Sequence, residues 1–453
     1  MDLLNSKAKA PSSARAGQWP LISALFPQPR PEEKHILDDF PQILEKVWPL
    51  NKERRKSLPY DIRDLSRALT SRRSDLKKPY WMKAAWISAY LYYFLPWNLA
   101  RLIRLFNGLV LPKPDFNQNP LLIDAGSGPL TLPIALWITH PNWRKENLKI
   151  LALDNARQPL ELGLKIFDAL CEKYEIYPWR VSLAAEPVWR VFSAFRKRAE
   201  KLNASPWLIT SANVLNETLQ LESDEYMDDE EADEDDPLFK ILTSWENFRN
   251  YPSFAGILAI EPGTRLGGST IMNLRKRGVQ LGYFPTAPCV SAEACPLLGK
   301  KGRNSAGLSE KWCHFTFAAN DAPTWLANLS KEAGLSKKTL SLSLILLETR
   351  ERSIDNRSSC RVISHTFPVP SFSGACRYGC ASGGLRLLPD SQDLPSGSLT
   401  RGRLPDKPSR DKRSDALILE PLEARAKAIS PATSPSSGKI AVDKPRARSR
   451  RSK

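Results

Sequence analysis

No stretch of this 453-residue chain is apolar for long enough to span a bilayer. The nearest approach, residues 84–95, is short and rich in aromatics, and reads as a buried helix. Residues 1–20 lack the apolar core of a secretory signal; they are basic and carry Ser and Ala. That composition suits a mitochondrial transit peptide, but Asp2 and the brevity of the basic run point to a cytoplasmic protein, with the mitochondrial matrix as the alternative. Cysteine is scarce: seven residues, unevenly spaced, make no disulfide scaffold at this length and suit metal binding in a reducing compartment. A Gly-x-x-x-x-Gly-Lys-Ser/Thr sequence is missing too, which argues against nucleotide hydrolysis by a P-loop.

Acidic side chains are in deficit. Lys and Arg number 66 against 49 Asp and Glu, a formal charge of +17. A chain this basic is attracted to polyanions, nucleic acid first and anionic membrane surface second. The hydrophobic share of 42% supports a packed core, and the length allows two packed units with flanks. Residues 1–30 read as a flexible N-terminus. Over 31–115, residues such as Ile36, Phe40, Ile43, Leu44 and Val47 recur at helical spacing, giving a basic helical domain with a break at Pro96. Its cations, among them Lys52, Arg54, Arg55, Arg72, Arg73, Arg101 and Arg104, are mixed with Tyr80, Trp81 and Tyr90. The mixture suits an amphipathic bundle with a solvated face, or a surface that grips RNA through phosphate contacts and base stacking.

Over 116–285, apolar runs at 121–123, 150–153, 207–210 and 255–260 alternate with helical stretches at 129–139, 158–174 and 187–202. Such alternation implies a mostly parallel sheet with crossover helices, an α/β fold. Residues 222–236 are almost wholly acidic; a block of like charge repels itself and reads as an exposed loop. A region at 286–388 holds most of the cysteines and late strands at 340–347, 361–367 and 384–388. From 389 to 453 the composition shifts to Ser, Pro, Arg and Lys, as expected of a disordered basic tail.

Two constellations carry chemistry. Asp124-Ala-Gly-Ser-Gly-Pro129 follows a strand and precedes an apolar helix, and Gly126 and Gly128 allow a tight turn and close approach of a ligand. Asp154 ends the next strand, where a carboxylate can accept from both hydroxyls of a ribose. The acid two residues before the first glycine resembles S-adenosylmethionine-dependent methyltransferases more than dehydrogenases. Their usual turn, Asp-x-Gly-x-Gly-x-Gly, has Leu130 here in place of its third glycine. After the strand at 207–210, Asn213, Asn216 and Glu217 are candidates to line the substrate side. The Asn-Pro-Pro-Tyr signature of many amino-group methylases is missing, and no residue is an evident base or nucleophile.

Cys289, Cys295 and Cys313 lie beside prolines or aromatics in a short span, and soft thiolates in such number imply zinc or an iron–sulfur cluster. Five residues separate Cys289 from Cys295, which matches neither the zinc-ribbon nor the ferredoxin spacing. Cys380, among glycines, is the preferred fourth ligand, with Cys360, Cys376 and His314 as substitutes. Cys171 reads as helix packing.

These pieces, with Asn213-Val-Leu-Asn-Glu217, Ile260-Glu-Pro-Gly-Thr264, Cys295-Pro-Leu297, Trp312-Cys-His-Phe315 and Arg377-Tyr-Gly-Cys380, resemble the methyltransferase-like family associated with the small ribosomal subunit. It contains mitochondrial ribosome-assembly proteins and bacterial relatives, and the likeness covers roughly residues 60–390. The resemblance implies a Rossmann-like S-adenosylmethionine-dependent methyltransferase domain, preceded by the helical domain and followed by a Cys-rich metal-cluster region. It implies S-adenosylmethionine contacts at Asp124, Gly126, Gly128 and Asp154, with Asn213 beside them, and a [4Fe–4S] cluster on Cys289, Cys295, Cys313 and Cys380, zinc being the alternative. The implied partner is the small ribosomal subunit and its rRNA, approached as a methyltransferase or as a noncatalytic assembly factor. A zinc-stabilised nucleic-acid-binding protein is the third reading.

Overall fold

A strand, β1 (Leu21–Ala24), leads into two helices, Pro31–Val47 and Lys52–Thr70. Each buries one stripe, with Ile36, Leu37, Phe40, Ile43 and Leu44 on the first and Leu58, Ile62 and Leu65 on the second. The structure, a computed structural model, describes residues 19–70, 80–176, 179–216, 237–298, 311–352 and 359–422. Arg72, Arg73, Glu217, the acidic block at 222–236 and residues 423–453 lie outside the described residues.

Pro96 does not break the next helix, contrary to expectation. Ala84–Ala89 passes through a π-helical turn, Tyr90–Phe94, directly into Leu95–Phe106. In the wider turn the Leu95 N–H donates to the Tyr90 carbonyl, and Pro96 falls in the first turn of the new segment, where an N–H is dispensable. Leu95–Phe106 then packs along the helix Thr131–Thr139. Among the described residues no helix is long and apolar enough to cross a membrane.

Eight strands follow: β2 (Pro120–Ala125), β3 (Lys149–Asp154), β4 (Arg180–Ala185), β5 (Ser205–Ala212), β6 (Gly256–Pro262), β7 (Phe284–Ala287), β8 (Phe315–Ala318) and β9 (Thr339–Glu348). Their order is β4-β3-β2-β5-β6-β9-β7, with β8 also on β9. The pairings from β4 to β6 are parallel, whereas β9 runs antiparallel to its neighbours. β2 is buried at every position because helices cover both faces, which is why it reads as an unbroken apolar run. Strand order reverses between β2 and β5, so a ligand crevice is expected beyond the carboxyl ends of these two strands.

β7 and β8 share one edge of β9: Ala287 sits opposite Leu346 and Phe315 opposite Leu342. The chain thus leaves this edge at Ala287 and rejoins it at Phe315. The excursion between them carries Cys289, Cys295 and Cys313.

The remaining strands are β10 (Ser359–Val362), β11 (Arg377–Ala381), β12 (Gly384–Leu388), β13 (Ser398–Arg403), β14 (Leu417–Ile418) and β15 (Glu420–Pro421). Their order is β1-β13-β10-β11-β12-β14. Because β14 pairs with β12 and the adjoining β15 pairs with β13, the sheet closes on itself as a small barrel. Both supposed flexible ends need correcting here. Leu21–Ala24, inside the expected flexible lead, pairs with Ser398–Arg403, inside the expected disordered tail. Trp19, Cys360, Val362, Leu388, Leu394 and Leu419 form one apolar core, and the Trp19 indole donates to the Pro389 carbonyl at 2.7 Å. The tail's polar composition hid a strand whose alternate residues Ser398, Thr400 and Gly402 are the buried ones.

Candidate functional site

At the carboxyl end of β2 the backbone turns through positive φ at Gly126 (75°), Gly128 (51°) and Leu130 (56°). Leu130 therefore keeps the left-handed backbone that favours glycine, while its fully buried side chain points into the core. Gly163, on the helix Arg157–Lys173, makes room: a Cβ there would lie 2.3 Å from the Pro129 carbonyl carbon and 2.6 Å from Leu130 Cδ1. The departure from the glycine motif is absorbed by the core, not by the crevice. Above Gly128 a Cβ would meet nothing within 4 Å, so this part of the cradle is open. Above Gly126 it would meet Val214 at 2.6 Å.

Asp154 is tied to the same turn. Its Oδ2 accepts from the Gly128 N–H at 3.0 Å and its Oδ1 from the Ala156 N–H at 3.0 Å. Burial raises its pKa, and those two amides pull it back. Asp124 is buried more completely, and burial pushes its pKa up to about 6; the Ser127 and Thr210 hydroxyls lower it and the neighbouring Asp154 charge raises it. Thr210 Oγ1 donates to Asp124 Oδ1 at 2.7 Å. Across the switch point Asn213 adopts φ 59° and its N–H donates to the Ile260 carbonyl at 2.8 Å. Glu261, wholly buried at the end of β6, accepts from the Val214 and Leu215 N–H groups at 3.2 and 2.8 Å. The ends of β2, β5 and β6 therefore form one polar patch. In it Asp124 Oδ2, Ser211 Oγ, Asn213 Oδ1 and Asn216 Oδ1 are buried with no hydrogen-bond partner among the described residues.

The second locus lies on the edge where β7 gives way to β8. Cys289, Cys295, Cys313 and Cys380 line one cavity together with Arg275, Arg361, Pro288 and apolar residues including Ile271, Leu344 and Ile345. Three of these thiols come from the excursion between β7 and β8 and the fourth from β11 of the barrel. Burial raises the pKa of Cys289, Cys313 and Cys380, so each is a neutral thiol when no cation is bound. The substitutes for the fourth position sit elsewhere. Cys360 belongs to the Trp19 core, Cys376 to a separate apolar group with Leu387 and Ala416, and His314 stacks on Trp312. Cys171 is buried on its helix. As placed, no group of three or more His, Cys, Asp or Glu side chains among the described residues could hold a metal ion.

Residues that sequence patterns did not single out hold this locus together. Arg275, on the helix Arg265–Gln280, places Nε 3.1 Å from Cys289 Sγ and donates through Nη2 to the Ser291 and Glu293 carbonyls at 2.9 and 2.6 Å. Arg361 sits opposite Cys380 across β10 and β11, and donates to the carbonyls of Pro288 at 3.1 Å and Gly397 at 2.9 Å. Glu293 accepts from the Ser382 hydroxyl at 2.9 Å and from the Gly383 N–H, bringing the barrel's β11–β12 turn onto the cysteine loop. Arginines on a helix and a strand look like surface residues in a sequence, and only the fold turns them inward.

The two loci are physically joined. Trp312, next to Cys313, donates its indole N–H to the Gly263 carbonyl at 3.2 Å, and its ring covers Gly268, where a Cβ would lie 2.3 Å from Trp312 Cδ1. Thr264 caps the same helix by accepting from the Gly267 N–H at 3.2 Å. Glu-Pro-Gly-Thr and Trp-Cys-His, separate in sequence, are one contact in space.

Comparison with known proteins agrees with the motifs. No curated protein matches the chain. A solved structure from Listeria monocytogenes, provisionally described as a class I S-adenosylmethionine-dependent methyltransferase, is 11% identical, with 72% of this chain and 88% of that one covered at a TM-score of 0.27. A score this low does not establish a shared fold. Over residues 84–366 the sequence matches the family model described as mitochondrial small ribosomal subunit Rsm22. That match spans more than half of the chain, and the chain belongs to the Rsm22 family.

Proposed function

We propose that this chain binds S-adenosylmethionine and serves the mitochondrial small ribosomal subunit, methylating its rRNA or assisting its assembly, with a [4Fe–4S] cluster on Cys289, Cys295, Cys313 and Cys380. The observation that carries the cofactor half is the set of buried atoms on Asp124, Ser211, Asn213 and Asn216 at the switch point that have no partner among the described residues. Buried polar atoms without partners are costly, and their concentration in one crevice suits a polar ligand. Asp124, Gly128, Asp154 and Asn213 would hold the cofactor, with Gly126 shaping the turn beneath it. When bound, S-adenosylmethionine supplies an already activated methyl group, so the protein's task is alignment of the acceptor. No general base is needed for that task.

We read the four cysteines as ligands of a cluster in preference to a single ion. A zinc site needs its ligands grouped tightly around one centre, whereas in a cubane each thiolate binds its own iron. Four thiols on separate segments around one largely apolar cavity support the cluster reading. The +17 charge supports an RNA partner. The family's description favours the mitochondrion over the cytoplasm expected from the N-terminal residues.

Val214, seated over Gly126, favours a second reading, in which the cofactor site is narrowed and the chain acts as a noncatalytic assembly factor. Calorimetry with S-adenosylmethionine, followed by transfer of labelled methyl to small-subunit particles, separates the two. Binding that Asp154→Ala weakens is the expected result. Absence of binding in the wild type sinks the cofactor proposal, and binding without transfer selects the assembly role.

A further inference from the structure

Arg104, Arg144, Arg275 and Arg361 are all buried. Two of them have carboxylate partners: Arg104 pairs with Asp321 at 2.7 Å and Arg144 with Glu32 at 2.5 Å. The other two, Arg275 and Arg361, bond only carbonyls and sulfur among the described residues, and both line the four-thiol cavity. A buried guanidinium facing no anion is strongly unfavourable, so a charge of opposite sign is expected beside it.

We infer that Arg275 and Arg361 are the counter-ions of a dianionic metal–thiolate centre, and that this charge balance selects a dicationic core. The inference rests on the cluster reading above. Neutral thiols leave two buried positive charges uncompensated. Four bare thiolates overshoot by two negative charges. Four thiolates around a dicationic core carry a double negative charge, which the two guanidiniums cancel. Arg275 also aims an N–H at Cys289 sulfur, and hydrogen bonds to cluster sulfurs together with nearby charge set the reduction potential. Adding one electron takes the centre from two negative charges to three. A nearby cation stabilises the reduced form more than the oxidised one, so removing it lowers the potential. Arg275 and Arg361 act here as positioning residues, through the sulfur ligands.

The test uses the full chain purified anaerobically, with iron, acid-labile sulfide and zinc assayed and the potential measured by dithionite titration. Wild type should hold iron and sulfide. Arg275→Gln and Arg361→Gln keep donors for the carbonyls but lose the charge; each should retain metal roughly 10-fold less tightly against a chelator, and any cluster kept should reduce at a lower potential. Arg275→Lys and Arg361→Lys should stay near wild type. Gln variants with full metal retention and an unchanged potential overturn the counter-ion role while leaving the cluster reading intact. Should the Gln variants not accumulate, the Lys variants decide: metal loss in them shows that guanidinium shape, not charge, matters, and overturns the inference. Wild type with zinc removes iron but keeps the charge argument, since that centre is also dianionic. Wild type with neither metal sinks both readings.

Discussion

Asp124 is a carboxylate held where its charge is disfavoured. Its folded pKa of about 6 lies above the ordinary 3.8, chiefly through burial. Between those values the folded chain binds the proton more readily than the unfolded one. Stability therefore falls as pH rises through this window and settles at a deficit on the order of 3 kcal/mol above it. Asp124→Asn removes the charge, so its thermal midpoint should decline less than wild type over that window; equal slopes in the two proteins would refute the assignment. Leu130 sets two costs against each other. Its left-handed backbone costs about 1–2 kcal/mol, but deleting a fully buried leucine side chain costs about 2–5 kcal/mol. Leu130→Gly, which restores the methyltransferase-type motif, should consequently destabilise the chain by about 2 kcal/mol in urea denaturation. A stabilised variant would mean that strain outweighs packing. The sequence marked Leu130 as a departure from the motif; it could not show the side chain leaving the crevice, because that direction depends on Gly163 of a helix thirty-odd residues away.

At the scale of elements, what was legible followed periodicity. β2, β3, β5, β6 and β9 are apolar runs flanked by polar turns, and each was readable as a strand. β4 was missed because, as an edge strand, only Ala184 of its six residues is buried. β8, with four residues, is too short to show a period, and the helix Arg265–Gln280 contains Gly267, Gly268 and Gly278, which lower its helical propensity. Yet those glycines are where the packing is closest. Trp312 lies on Gly268, and an added methyl there has no space unless the indole moves. Gly268→Ala should lower stability by about 1–3 kcal/mol and, by displacing Trp312, loosen the adjoining Cys313. Reaction of a thiol reagent with metal-free protein should then be faster at Cys313 than in wild type, with Cys360 and Cys376 unaffected. Uniform acceleration at all three would point to general unfolding instead.

At the scale of the molecule, the two sheets of the described residues meet at the thiol cavity. On one side stands the β4-to-β7 sheet with its split edge; on the other, a barrel that draws its strands from residues 21–24 and 359–421. Neither the barrel nor its N-terminal strand was legible beforehand, since pairings between residues nearly 380 apart leave no local pattern. Among the described residues the links across the junction include Arg361 to the Pro288 carbonyl, Glu293 to Ser382 and Gly383, the Thr316 N–H to Ser396 Oγ, Phe26 stacked on Phe317, and the placement of Cys380 against the other three thiols. Hydrogen bonds of this kind contribute only about 1 kcal/mol each, whereas metal–thiolate ligation joins segments with far more free energy. A bound cluster should then act mainly as a staple between the sheets, leaving the parallel sheet to stand on its own apolar core. Hydrogen exchange on anaerobically purified and chelator-stripped chain tests this directly. Metal removal should raise exchange in β10, β11 and β13 and leave β2, β3 and β5 near their starting protection. Equal loss of protection in both sheets would make the centre a global stabiliser, and no change in either would leave it without any structural role.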